Sequence, residues 1–119
     1  MAAKKEPRQP RPGHPVRGSR TGRPVMVALD LLGRRWTLRV LWELRDGPLG
    51  ARALRTRCDA MSSSVLYQRL RELEAAGLVD RDGEDRYVLT PIGVALGSAI
   101  APLDAWAQEW ASTYGPAGR

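Results

Sequence analysis

The sequence predicts a mainly α-helical domain carrying one small β-hairpin, and three observations lead there. Apolar residues recur at three- and four-residue spacing in several separate segments, the pattern of helices that bury one face. Only two short runs, 78–81 and 86–89, have strand character, and they flank Asp82-Gly83-Glu84-Asp85, a turn with glycine in it. The last apolar pattern, 91–114, is far longer than any other.

The elements follow in chain order. Over 25–32, Val25, Leu29 and Leu32 share one helical face, and Gly33 closes the helix. A second helix runs from Trp36 to Arg45 on Leu38, Leu41, Val40 and Leu44, and Asp46-Gly47-Pro48 stops it. A short third helix, 51–58, has Leu54 as its only large aliphatic residue. Ser62 then offers a hydroxyl to a free backbone N–H, as an N-cap does. Leu66, Leu70 and Leu73 form one stripe of a helix over about 63–76. Gly77 suits the left-handed position that follows, and Leu78 closes over Leu73. After the hairpin, Thr90-Pro91 places a cap before a proline at the first helical position. Leu96, Ile100, Leu103, Ala107, Trp110 and Tyr114 continue a stripe along a helix roughly 35 Å long, which Pro102 is expected to kink.

The 119 residues suit one domain. The net charge of +6 sits in residues 1–24, which hold seven basic groups, one acid and five of the nine prolines. With almost nothing apolar to bury, this segment is expected to be a disordered basic arm. Residues 25–114 form the domain, and 115–119 are expected to be a flexible C-terminus. No apolar run suits a signal peptide, and the longest charge-free stretch, 88–103, is too short and broken to span a bilayer. A soluble, cytoplasmic protein is expected. Cys58 is the only cysteine and His14, in the arm, the only histidine. A disulfide framework, a metal site and most His-dependent catalysis are therefore excluded, and no cofactor is expected. With no nucleophile–base pair, carboxylate pair or glycine-rich phosphate loop, an enzyme is not expected either.

A short helix, a turn and a polar-faced helix form the arrangement that sets a recognition helix in the DNA major groove, and the hairpin behind it is a wing. The residues carrying this pattern are 29–38 (LDLLGRRWTL), 46–49 (DGPL), 65–79 (VLYQRLRELEAAGLV) and 87–93 (YVLTPIG). In these four blocks, in this order, the chain resembles the HxlR-type winged helix-turn-helix transcriptional regulators, relatives of the MarR group. The resemblance covers Pro24 to about Trp110. It implies a bacterial homodimer on a pseudo-palindromic operator in double-stranded DNA, repressing or activating nearby genes. The apolar end of the long helix agrees, since Leu103, Trp106, Trp110 and Tyr114 suit a dimer interface.

With Leu66, Leu70 and Leu73 inward, Ser64, Gln68 and Arg71 fall on the opposite face, flanked by Tyr67. Arginine can take guanine O6/N7 and glutamine adenine N6/N7, while Ser62, Ser63 and Ser64 at a helix N-terminus suit a phosphate. Arg69 points sideways, towards either a phosphate or an intramolecular pair with Glu72 or Glu43. Residues 34–71 hold nine arginines and three acids, while 72–118 hold two arginines and eight acids. The positive half contains the helix–turn–helix, with Arg52 and Arg55 as candidates for backbone contacts. The wing is acidic at Asp80, Asp82, Glu84 and Asp85, which leaves Arg81 and Arg86 at its base as candidate contacts. The arm can take the place of an inserted wing.

In this family a cysteine often precedes the first helix and senses electrophiles or oxidants in some members; Arg23 stands there, so that switch does not carry over. Cys58 reads as a buried small hydrophobe. Trp36 or Trp42, with Trp106 or Trp110, can line a pocket for a small aromatic effector. The alternative to a DNA-binding regulator is a winged-helix module that binds protein or RNA.

Overall fold

The computed structural model describes residues 11–17 and 19–116. Five helices and one hairpin follow in the expected order: α1 (Pro24–Leu32), α2 (Thr37–Glu43), α3 (Ala51–Arg57), α4 (Ser63–Ala75), β1 (Val79–Arg81), β2 (Tyr87–Leu89) and α5 (Pro91–Tyr114). The fold is a winged helix-turn-helix.

The core is where α2, α3, α4 and the hairpin converge. Val40, Leu41 and Leu44 meet Leu54 and Cys58, and the Leu66–Leu70–Leu73 stripe packs on them, closed by Val79 and Tyr87. α4 ends as expected: Gly77 is left-handed (φ 81°), Leu78 N–H donates to Leu73 O (3.0 Å) and Gly77 N–H to Glu74 O (3.0 Å), the paired bonds of a Schellman motif. Both caps form, Ser62 Oγ accepting from Val65 N–H and Thr90 Oγ1 from Gly93 N–H. β1 and β2 pair antiparallel with Val79 opposite Leu89 and Arg81 opposite Tyr87.

Two expectations about the helices are corrected. The inward face of α1 is Val27 and Leu31, while Val25 (55 %) and Leu29 (57 %) stay exposed. The helix is apolar almost all round, so its pattern does not select a face. α2 starts at Thr37 rather than Trp36, because Trp36 is left-handed (φ 75°) and only the next residue is helical; it closes in a 3₁₀ turn, Leu44–Asp46. In the turn of the wing Asp85 is left-handed (φ 61°). Asp82 organises this turn, its carboxylate accepting from Glu84 N–H, Arg86 N–H and Arg86 Nε. Those bonds, the Arg86 backbone foremost, hold its pKa below the usual aspartate value.

The arm, expected to be disordered to residue 24, is in its described part a folded-back loop. Gly13 N–H donates to Gly22 O (2.9 Å), Val16 and Ser19 exchange backbone bonds, and Arg11 Nη2 donates to Ala75 O at the end of α4 (2.9 Å). A cation suits that negative helix terminus. The expectations for residues 1–10 and 117–119 lie outside the described residues.

The sequence pattern did not reveal a third short piece of sheet. Leu49 pairs with Tyr87 through two backbone bonds (3.0 and 2.8 Å), which ties the α2–α3 connection to the wing.

Candidate nucleic-acid interface

α3 and α4 are joined by a tight turn in which Asp59 (φ 58°) and Ala60 (φ 56°) are both left-handed. Two arginines brace it. Arg39 of α2 donates to Asp59 Oδ2 (3.1 Å), Arg57 O (2.6 Å) and Glu43 Oε2 (2.9 Å). Arg55 donates from Nε to Met61 O (2.6 Å). The angle of α4 is thus fixed to α2 and α3 by polar bonds as well as by the leucine core.

Ser63, Ser64, Tyr67, Gln68 and Arg71 are all exposed on α4. Ser62 and Ser64 hydroxyls lie 2.9 Å apart at its N-terminus. Gln68 and Arg71 make no side-chain hydrogen bond or ion pair among the described residues. Beside them a cleft of about 230 Å³ opens between α3 and α4, lined by Arg52, Arg55, Ser63 and Tyr67 among others. Arg52 is exposed there with its guanidinium uncommitted among the described residues. The cluster offers guanidinium groups, one amide and hydroxyls on one exposed face.

The other candidate arginines are engaged within the chain. Arg69 pairs with Glu72 (2.5 Å), and Glu72, almost fully buried, also takes Arg34 (3.1 Å). Of the two readings of Arg69, the structure contains the intramolecular pair with Glu72, and Asp30, 3.8 Å from Arg34, supplies the second acid that balances the two guanidinium groups. Arg81 pairs with Asp85 (2.7 Å), bonds Tyr87 Oη and lies over its ring. Arg86 pairs with Asp82 (2.9 Å). Both candidate backbone contacts at the base of the wing, Arg81 and Arg86, are thus paired with acids of the wing. Burial raises the Tyr87 pKa, opposed by Arg81, so the phenol stays protonated beneath the wing.

Of the nine arginines in 34–71, Arg34, Arg39, Arg45, Arg57 and Arg69 pair with carboxylates. The signal for Arg34 and Glu72 as positioning residues was absent from local spacing because their elements meet only in the fold.

The four tryptophans do not form one pocket within the chain. Trp36 packs at the core edge. Trp42 carries the Arg45 guanidinium over its ring (3.8 Å) and lines a cavity of about 360 Å³ between α2 and α5. Trp106 and Trp110 stack on each other (5.5 Å, 13°) out on α5, 54 % and 56 % exposed. Cys58 is fully buried, and loss of solvation raises its pKa, so its thiol is unreactive at neutral pH. Among the described residues no cluster could hold a metal ion, and no helix is long and apolar enough to cross a membrane.

A braced helix–turn–helix followed by a wing, with a polar face on its second helix, defines the winged helix-turn-helix class. The chain belongs to the HxlR-like helix-turn-helix family, which residues 31–114 match. It is 33% identical over 89 residues to YvaP, an uncharacterised HTH-type transcriptional regulator of Bacillus subtilis, covering 70% of this chain and 82% of that one. The structure of quinone-bound YodB from B. subtilis superposes with a TM-score of 0.66 at 33% identity, over 71% of this chain and 96% of that one. The structure of a possible HxlR family transcriptional factor from Thermoplasma volcanium gives a TM-score of 0.65 at 27% identity, over 73% of this chain and 84% of that one. The protein is a transcriptional regulator of this family.

Proposed function

We propose that the protein is a cytoplasmic, non-enzymatic regulator that binds double-stranded DNA as a homodimer, with α4 in the major groove of each half of a pseudo-palindromic operator. One observation carries this reading: Gln68 and Arg71 stand together on α4, exposed and without a side-chain partner among the described residues, with Ser64 beside them bonded to Ser62, while Arg34, Arg39 and Arg69 are taken up by carboxylates. Arg71 and Gln68 read bases, Ser62–Ser64 hold a phosphate at the helix N-terminus, and Arg52 holds the backbone. Tyr67 packs at the edge of the contact. Half-sites lie about one turn, near 34 Å, apart.

The test is a titration at near-physiological salt against the DNA flanking the gene for this protein and against scrambled DNA of equal length. A preference of about 10³-fold or more establishes specific binding. Equal binding to both contradicts it and favours the module that binds protein or RNA, the reading to which an acidic wing lends support.

The basic arm adds sequence-independent affinity. Arg11 and Arg17 are engaged with Ala75 O and Asp30, which leaves Lys4, Lys5, Arg8, Arg20 and Arg23 as its candidate phosphate contacts. Replacing those five by alanine flattens the slope of log K against log salt by roughly 4 to 5 units. An unchanged slope removes the arm from the interface. Although YodB is seen with quinone bound, a thiol sensor is not part of this reading, because Cys58 is buried in the core.

A further inference from the structure

The cavity of about 360 Å³ between α2 and α5 has a largely apolar wall, made by Leu38 and Leu41 of α2 with Val94, Leu96 and Ile100 of α5, and the Trp42 ring lies along it. Its volume falls in the range of small-molecule sites, about 300–1,000 Å³. Gly93 and Gly97 open α5 there, and a Cβ at Gly97 would meet nothing within 4 Å. Towards the distal end of α5 a second cavity of about 330 Å³ adjoins the first, and both are lined by Leu38, Trp42, Ile100 and Asp104. At about 100° per residue, Gly93, Gly97 and Asp104 fall within roughly 40° of one another on α5. Trp106 and Trp110 lie roughly 120° or more from Asp104, so this face is not the one that suits a dimer.

The charged groups at these cavities differ in whether they have partners. Arg45 lies over the Trp42 ring at 3.8 Å, donates to Trp42 O (2.8 Å) and pairs with Asp46 (3.8 Å). Arg39, at the adjoining cavity, is held by Glu43 and Asp59. Asp104 makes no side-chain hydrogen bond or ion pair among the described residues. A carboxylate beside an apolar wall attracts a cation more strongly than one in bulk water, and an indole face is the best aromatic partner of a cation. We infer that this cavity is a binding site for a small organic cation, an ammonium group carried on an apolar or aromatic body. The ammonium takes the place of the Arg45 guanidinium over the Trp42 ring, with Asp104 as its counter-ion, and the body fills the apolar space over Gly97. An anion fits less well, because it meets the unpaired Asp104 and finds Arg45 already engaged. This site goes beyond the DNA-binding reading and does not depend on it.

Isothermal titration of the full chain with benzyltrimethylammonium tests this, with phenylacetate as an anion of similar shape. Saturable binding of the cation is expected, and none of phenylacetate. Asp104→Asn, a change at an exposed position, is expected to weaken binding of the cation by about fivefold or more. Arg45→Ala uncovers the Trp42 ring and removes a like charge, so it is expected to strengthen binding by about the same factor. Gly97→Leu puts a side chain into open space from a helical position that disfavours glycine, so it is expected to fold and to abolish binding. Cation binding that Gly97→Leu leaves unchanged lies elsewhere on the chain and overturns the site. Binding of phenylacetate that Arg45→Ala weakens and Asp104→Asn strengthens makes the ligand an anion and overturns the charge assignment. A wild-type chain that shows no saturable binding of the cation at millimolar concentration overturns the inference as a whole.

Discussion

Ala60 sits in a left-handed conformation that costs a side-chain-bearing residue about 1 kcal/mol. Ala60→Gly is therefore expected to raise stability in urea denaturation by up to about that amount, with DNA affinity unchanged because Ala60 only sets the turn. Asp59 shares the backbone but not the prediction, since its carboxylate holds Arg39. Cys58 reports on the same corner. Its thiol is expected to react with a disulfide reagent only when the chain is unfolded. Because burial raises its pKa in the folded state, its contribution to stability is full below the ordinary thiol range and is lost as the pH rises through the folded value. Cys58→Ala should flatten the decline of stability measured above about pH 9; an identical decline would place its cause elsewhere. None of these backbone conformations was legible in the sequence: Trp36, Asp59, Ala60 and Asp85 are left-handed where local chemistry favours glycine, and the surrounding contacts impose it.

The elements were legible wherever one face alone is apolar and a cap marks the end. α4 shows this best, with Ser62 before it, the Leu66–Leu70–Leu73 stripe within it and Gly77 after it. α1 shows the opposite, because Val25, Leu29, Val27 and Leu31 give two equally apolar faces and packing alone chooses. Leu49 was missed for a related reason: a single bridging residue has no period to read. The join of wing and α5 makes its own prediction. A Cβ at Gly93 would lie 2.2 Å from Leu78 O. Gly93→Ala should therefore lower stability despite the better helix propensity of alanine, which is about 1 kcal/mol in its favour. A stabilised variant in thermal denaturation would mean that α5 does not approach the hairpin so closely.

Across the whole molecule, charge is the property that the sequence described only coarsely. The excess of arginine over 34–71 located the helix–turn–helix, but which arginines are available depends on contacts between distant segments. Glu72 takes Arg34 and Arg69, Glu43 and Asp59 take Arg39, and the wing acids take Arg81 and Arg86. What remains on the outer face is a short set, chiefly Gln68, Arg71 and Arg52, and the two kinds of contact within it differ in what they should do. The central claim is that Arg71 reads a base while Arg52 only grips the backbone. The most direct measurement is the affinity of the wild type, Arg71→Ala and Arg52→Ala for the operator and each of its single-base variants at fixed salt. Arg71→Ala is expected to lose about 1–3 kcal/mol and to become indifferent to one base position, while Arg52→Ala weakens all sequences equally. Equal weakening across every sequence by Arg71→Ala would contradict it.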